Sequence, residues 1–241
     1  MAIAVVTGAA QGIGAAIADE LLADGFRVHA VDVDAEGLVA WAAGRSRIMT
    51  HVADLGDPAA IASLWVEIDA GGDDIDALVN NAGIFLREPA LDVSVQGWDR
   101  VMSVNLRGGF LMSQAFASRV VARSGTGAIV SISSGQAYRP ASTGVAYAAS
   151  KAGVTNLARA LAGEWGPLGI RVNTVVPGLT DTAQPRAHKG AADFEAAATG
   201  NPLGRLSEPR DIAQAVAFLL SEKASAITGQ ALVVNGGRLM I

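Results

Sequence analysis

Apolar residues gather into short, nearly unbroken runs along the chain. These are Ala2 to Val6, Arg27 to Val33, Ile48 to Val52, Ile75 to Val79, Ala128 to Ile132, Arg171 to Val176 and Leu232 to Val234. A run that is apolar throughout, without polar alternation, reads as a strand covered on both faces. Between the runs lie stretches that read as helices. Ile13 to Ala23 is rich in alanine and leucine and stops at Asp24-Gly25, and another helix opens at Asp57-Pro58, a capping residue followed by proline. Trp98 to Ala122, Val145 to Trp165 and Pro209 to Leu220 follow. Strict alternation of strands and helices predicts an α/β fold, a single doubly wound parallel sheet with helices on both faces. No repeat, linker or composition break divides residues 1–241, so one domain is expected. Asp181 to Gly200 fits badly, being polar and rich in alanine and glycine, and predicts a mobile substrate lid.

Composition narrows the partners. Hydrophobic residues make up 51% and charged residues 17% of 241, which excludes disorder and suits a sheet buried on both sides. The net charge of -5 argues against nucleic acid or an acidic membrane as a partner. With no cysteine, disulfides, zinc thiolate sites and thiol nucleophiles are unavailable. The chain starts directly on a strand-like run without a basic region ahead of it, and no segment has the length to span a bilayer. A cytoplasmic protein is the expectation.

The first chemical signal is Thr7-Gly8-Ala9-Ala10-Gln11-Gly12-Ile13-Gly14, where a strand turns straight into a helix. Gly8 permits a tight turn, Gly12 lets the backbone approach a pyrophosphate, and Gly14 lets helix and sheet pack closely. Free N–H groups at the helix start complement the phosphates. A glycine-rich turn without a ligand is the alternative. Asp32 follows Gly14 by 18 residues, at the end of the second strand. A carboxylate there accepts hydrogen bonds from both ribose hydroxyls of NAD and repels the extra phosphate of NADP. At about 4 Å and an effective dielectric near 20, each pair of unit charges costs roughly 4 kcal/mol. Asp34 adds negative charge, no Arg or Lys lies among residues 30–44, and Gln11 is neutral, so NAD is favoured. The alternative is that Asp32 merely caps the next helix.

The second signal is Tyr147-Ala-Ala-Ser-Lys151. Residues four apart share a helix face, so phenol and ammonium reach one space. A free phenol, with a pKa near 10, is a poor base at neutral pH, and an adjacent cation is expected to lower that value. The spacing alone also fits an ordinary surface pair. Ser134, closing the fifth strand at the carboxyl edge of the sheet, strengthens the catalytic reading.

In order, the chain carries TGAAQGIG, Asp54 in VADL, Asn80-Asn81-Ala82-Gly83, Asn105 in VNLRG, Ser134 in SISSG, YAASK, Pro177-Gly178 and ITGQALVVNGG. Together these motifs resemble the short-chain dehydrogenase/reductase family, in the branch with a TGxxxGIG loop and a YxxxK site, over essentially the whole chain. The resemblance implies a Rossmann fold and a catalytic set of Asn105, Ser134, Tyr147 and Lys151. Tyr147 would be the general acid/base and Lys151 would hold the nicotinamide ribose. Ser134 would bond the reacting oxygen, in preference to Ser133 because it precedes the tyrosine by 13 residues. Asn105 would hold a relay water. Gly8, Gln11, Gly12, Ile13 and Gly14 would hold the pyrophosphate. Asp54 and Leu55 would contact adenine, with Asn81, Ala82 and Gly83 lining the adenosine side. Pro177, Gly178, Thr180 and Thr182 would cover the nicotinamide. Thr180 and Asn235 depart from the family's usual Ile or Val and Asp; the asparagine is expected to affect local pairing. Gln136, Leu179 and residues 183–200 would build the substrate pocket.

The expected activity is NAD-dependent interconversion of a small-molecule secondary alcohol and a ketone. A 3-oxoacyl-thioester reductase, or a non-catalytic NAD-binding protein, is the alternative. A homotetramer through the two long helices is expected from the family. His29 and His51, without a third ligand, read as packing or surface residues rather than a metal site, and His188 falls in the lid. The four tryptophans read as core or interface anchors. Asp73-Asp74 reads as solvated.

Overall fold

The computed structural model describes residues 1–141, 143–186 and 190–240. Its centre is a seven-stranded, all-parallel sheet in the order β3-β2-β1-β4-β5-β6-β7. The strands are β1 (Ile3–Thr7), β2 (Arg27–Asp32), β3 (Ile48–Val52), β4 (Ala77–Asn80), β5 (Gly127–Ile132), β6 (Ile170–Pro177) and β7 (Ala231–Val234). The chain lays down β1 to β3 in one direction, then crosses back to place β4 against the other side of β1. That reversal opens a crevice at the carboxyl ends of β1 and β4, where open parallel sheets bind their ligands.

Helices cover both faces, and β1 shows why its sequence is apolar throughout. Ala4 and Val6 pack with α1 (Gly12–Ala23) and α9 (Pro209–Leu220) through Ile17, Leu21, Ile212 and Val216. Ile3 and Val5 face the opposite layer, where α3 (Pro58–Ala70), α5 (Gly109–Ala122) and α6 (Val145–Trp165) contribute Trp65, Met112, Phe116 and Leu161. Burying each such side chain is worth about 1.5–3 kcal/mol. Trp41, Trp65 and Trp165 are core residues, while Trp98 stays partly exposed.

Two expectations change. The predicted helix from Trp98 to Ala122 starts earlier, as α4 (Val95–Met102), and widens into a π-helical stretch over Ser103–Gly108 before α5. In the segment read as a lid, the described residues include α7 (Ala183–Arg186) and α8 (Ala191–Thr199), with Phe194 buried. His188 lies outside the described residues.

The second change concerns Asp73-Asp74. Asp74 is solvated, but the Asp73 side chain is only 8% exposed, bonded to the Arg27 guanidinium and to Nε2 of His29 at 3.0 Å. His29 Nδ1 meets His51 Nε2 at 2.9 Å, and His51 Nδ1 meets Glu67 at 2.9 Å. The two rings are nearly coplanar. Both histidines are buried packing residues, joined in a chain of polar contacts whose partners no short-range pattern reveals.

Candidate active site

The glycine loop departs from Thr7 at the end of β1. Gly8 and Gly12 adopt φ of +67° and +60°, the left-handed region that L side chains avoid. Gly14 is required for another reason: a methyl there would stand 1.8 Å from the Gly8 carbonyl oxygen. The loop is sewn to β4. Thr7 Oγ1 accepts from the main-chain N–H groups of Asn81 and Ala82, and Asn81 Nδ2 donates to the carbonyls of Thr7 and Gly8. Asn81 therefore spends its side chain shaping the loop.

The helix that follows has an open N-terminus. Gln11 provides no side-chain cap for α1, whereas α2 (Ala35–Ala42), α3 and α4 are capped by Asp34, Asp57 and Ser94. Uncapped N–H groups beside a glycine turn suit a phosphate, so these residues fit a dinucleotide. Thr182 packs 3.5 Å from where a Gly12 side chain would begin, bringing the segment after β6 across the loop.

Asp32 closes β2 and accepts hydrogen bonds from the N–H groups of Ala10 (3.0 Å) and Asp34 (3.1 Å). The cap of α2 is Asp34, through Gly37 N–H at 3.0 Å. Asp32 thus orders the loop and leaves its remaining lone pairs at the crevice. Asp54 pairs with Arg100 at 3.0 Å, and Leu55 is buried in the core.

Tyr147 and Lys151 share one face of α6, with Nζ 5.7 Å from the phenol ring centre. Lys151 is 4% exposed and donates to the Ile132 carbonyl at 2.8 Å. Burial pushes its pKa down to about 8. Burial also raises the Tyr147 pKa, and only a hydrogen bond with Ser134 opposes it. The expected lowering is not met in the protein alone: burial outweighs it, and Nζ, over the phenol ring, donates to the Ile132 carbonyl.

Ser134 lies two residues past the end of β5, at the start of a short 3-10 turn over Gly135–Ala137. Ser133 is buried instead, bonded to the Lys151 carbonyl and Thr155. Asn105 sits in the π-helical stretch with its amide engaged by both main-chain groups of Ile84 and by Ser150. A relay water would therefore have to use its main-chain carbonyl. Gly83 lies over this group, 3.3 Å from both Lys151 Nζ and Asn105 Oδ1 as measured from where its Cβ would stand.

Such an arrangement can move a proton at an oxygen held between Tyr147 and Ser134. A family model described as enoyl-(acyl carrier protein) reductase matches residues 8–238. The chain belongs to the short-chain dehydrogenase/reductase family. Among its relatives is a D-threitol dehydrogenase of Mycolicibacterium smegmatis, 40% identical over 98% of this chain and 92% of the relative. A galactitol 2-dehydrogenase (L-tagatose-forming) of Cereibacter sphaeroides is 39% identical over 98% and 94%. The crystal structure of a 3-ketoacyl-(acyl-carrier-protein) reductase from Brucella melitensis complexed with NADH superposes with a TM-score of 0.89, at 33% identity over 98% of each chain.

Phe85 carried no signal in the sequence, and Asn235 only that of a departure expected to affect local pairing. Phe85 meets Tyr147 edge to face, ring centres 4.9 Å apart, and Gly144 at φ +90° makes room for it. Asn235, noted only as a departure, is buried and packs so tightly under Gly178 that a methyl on Gly178 would lie 2.7 Å from its Cβ. It accepts from Gly237 N–H at 3.0 Å and so braces the Pro177-Gly178 turn.

Proposed function

We propose that this protein is an NAD(H)-dependent oxidoreductase interconverting a secondary alcohol and a ketone. The observation that carries the reading is the Tyr147 phenol, bonded to Ser134 and backed by the buried Lys151, at the same sheet edge as the uncapped start of α1. A bound nicotinamide cofactor supplies or accepts the hydride. In reduction the Tyr147 hydroxyl donates its proton to the carbonyl oxygen while the Ser134 hydroxyl holds that oxygen in place. In oxidation Tyr147 takes the proton back. Lys151 orients the ribose and lends positive charge to the phenolate as it forms. Asn105 leads protons to Lys151 through a water on its main chain.

Gly8 to Gly14 hold the pyrophosphate, Asp54 and Leu55 the adenine, and Asn81 to Gly83 the adenosine side. Pro177, Gly178, Thr180 and Thr182 cover the nicotinamide, and Leu179 with residues 181–200 covers the substrate. Preference for NAD rests on Asp32: its carboxylate at the end of β2, with Asp34 close by, would repel a 2′-phosphate, and no Arg or Lys lies among residues 30–44. Assembly as a homotetramer through α5 and α6 belongs to the same reading. The second reading, a 3-oxoacyl-thioester reductase, is supported by the likeness to the 3-ketoacyl-(acyl-carrier-protein) reductase of Brucella melitensis.

Asp32→Ala tests the cofactor assignment. The ratio of kcat/KM for NADP to that for NAD is expected to rise about tenfold or more, since removing one charge repulsion of this kind is worth more than 1.4 kcal/mol. An unchanged ratio removes Asp32 from the ribose site.

A further inference from the structure

Phe85 packs directly on the phenol of Tyr147. The two rings meet at 81° with centres 4.9 Å apart, an edge-to-face contact in which each ring fixes the orientation of the other. The seat of Phe85 is built from both sides of the chain. Ile84, just before it, is clamped by the Asn105 amide, which accepts from the Ile84 N–H at 2.8 Å and donates to the Ile84 carbonyl at 2.9 Å. Just beyond it, the Glu88 carbonyl accepts from the Gly144 N–H at 3.3 Å. Gly144 is the N-cap of α6, at φ +90°, and a methyl there would stand 2.8 and 3.0 Å from two carbons of the Phe85 ring. Only glycine leaves the ring that place. The start of the helix that carries Tyr147 is thus shaped around Phe85.

We propose that Phe85 is a positioning residue for the proton transfer: its ring keeps the Tyr147 hydroxyl turned to Ser134 and water off the phenol, so that residue 85 sets the pH at which the protein turns over. This rests on the alcohol–ketone reading above, in which Tyr147 moves the proton. A phenol bonded to Ser134 and packed against Phe85 keeps one orientation, and a fixed orientation of the reacting group is worth rate. The same contact takes water from the ring. A phenolate deprived of water is disfavoured, so the cover holds the proton on to higher pH.

Three groups face the phenol from the elements packed on it. Lys151 of its own helix holds Nζ 5.7 Å from the ring centre, and Ser134 of the turn after β5 bonds the hydroxyl. Phe85, from the loop after β4, neither titrates nor carries charge. Lysine and serine therefore act on the phenol through charge and hydrogen bonding, and Phe85 acts through packing and the exclusion of solvent. Burial is what raises the Tyr147 pKa, with Ser134 opposing it.

The test is the pH dependence of kcat/KM for alcohol oxidation at saturating NAD, with 2-butanol and 2,3-butanediol as probes. Oxidation needs the phenolate, so activity falls as pH drops through the pKa of the phenol. Phe85→Ala is expected to move this fall to lower pH by about one unit and to lower the plateau about tenfold. Phe85→Leu keeps an apolar cover and is expected to leave the fall within about 0.3 unit of wild type. Phe85→Gln, similar in length but polar, is expected to move it as alanine does, which serves where the smaller variant does not fold. A lowered plateau with the fall unmoved, or an unchanged profile, makes Phe85 a packing residue only and overturns this inference while the alcohol–ketone reading stands. The ultraviolet absorbance of phenolate reads the same ionisation without turnover, in a Tyr138→Phe background that leaves Tyr147 as the one tyrosine. Phe85→Ala is expected to ionise at lower pH than this parent, and equal titrations overturn the inference whatever the substrate. A shifted titration in a protein that oxidises no alcohol of a broad panel overturns the alcohol–ketone reading and not the shielding by Phe85.

Discussion

The His29–His51 pair between β2 and β3 and the Tyr147–Lys151 pair on α6 both hold titratable groups inside the protein, with different surroundings. In the first, each outer imidazole nitrogen faces a carboxylate, Asp73 for His29 and Glu67 for His51. The inner nitrogens lie 2.9 Å apart. Asp73 also pairs with the Arg27 guanidinium. Lys151 has no such partner. It makes no ion pair among the described residues, and its ammonium leans on one carbonyl. A compensated cluster anchors the sheet; an uncompensated buried cation is a stored cost that a substrate or cofactor can draw on.

Substitutions should separate the two regions cleanly, in activity on one side and stability on the other. The largest effect is expected from Tyr147→Phe, with kcat down by about 10²- to 10⁴-fold and NADH binding, read by fluorescence, largely kept. Activity within a few fold of wild type would remove the phenol from the chemistry. Next comes Asp73→Ala, which strands His29 and Arg27 beside one another. A loss of about 3–5 kcal/mol in a denaturant titration is expected, with kcat unchanged. The wild-type pair also has an acid limit. Burial lowers the His29 pKa below 6.5, so the folded state resists a proton that the unfolded chain accepts. The stability that neutral His29 contributes is present above pH 6.5 and drains away as pH falls through the lowered value.

The smallest effect on stability has the opposite sign. Lys151→Met is expected to abolish turnover yet raise stability at pH 7. The lowering from 10.5 to about 8 corresponds to about 3 kcal/mol, and the orphaned Ile132 carbonyl takes back part of it, leaving about 1–2 kcal/mol. Because the folded lysine gives up its proton first, wild type regains ground as pH rises from about 8 to 10.5, and the gap should narrow over that range. A variant less stable than wild type at pH 7 would mean that Lys151 is compensated after all.

The one-dimensional pattern carried much of this protein. Continuous apolar runs are the signature of strands packed on both faces, and the parallel sheet, its helices and the glycine turn follow from local residue choice. Tyr147 and Lys151 were legible for a similar reason, since helical spacing alone puts them on one face. Other features depend on contacts between distant segments. Asp73 looked solvated because its partners lie 44 and 46 residues away on β2. The brace of Asn235 under Gly178, Phe85 against Tyr147 and the π-helical turn around Asn105 are products of packing that no periodicity encodes. The Tyr147 pKa moved against expectation for the same reason. Charge spacing is written in the sequence, but the depth of the phenol and the direction of the lysine are decided only when the sheet closes over them.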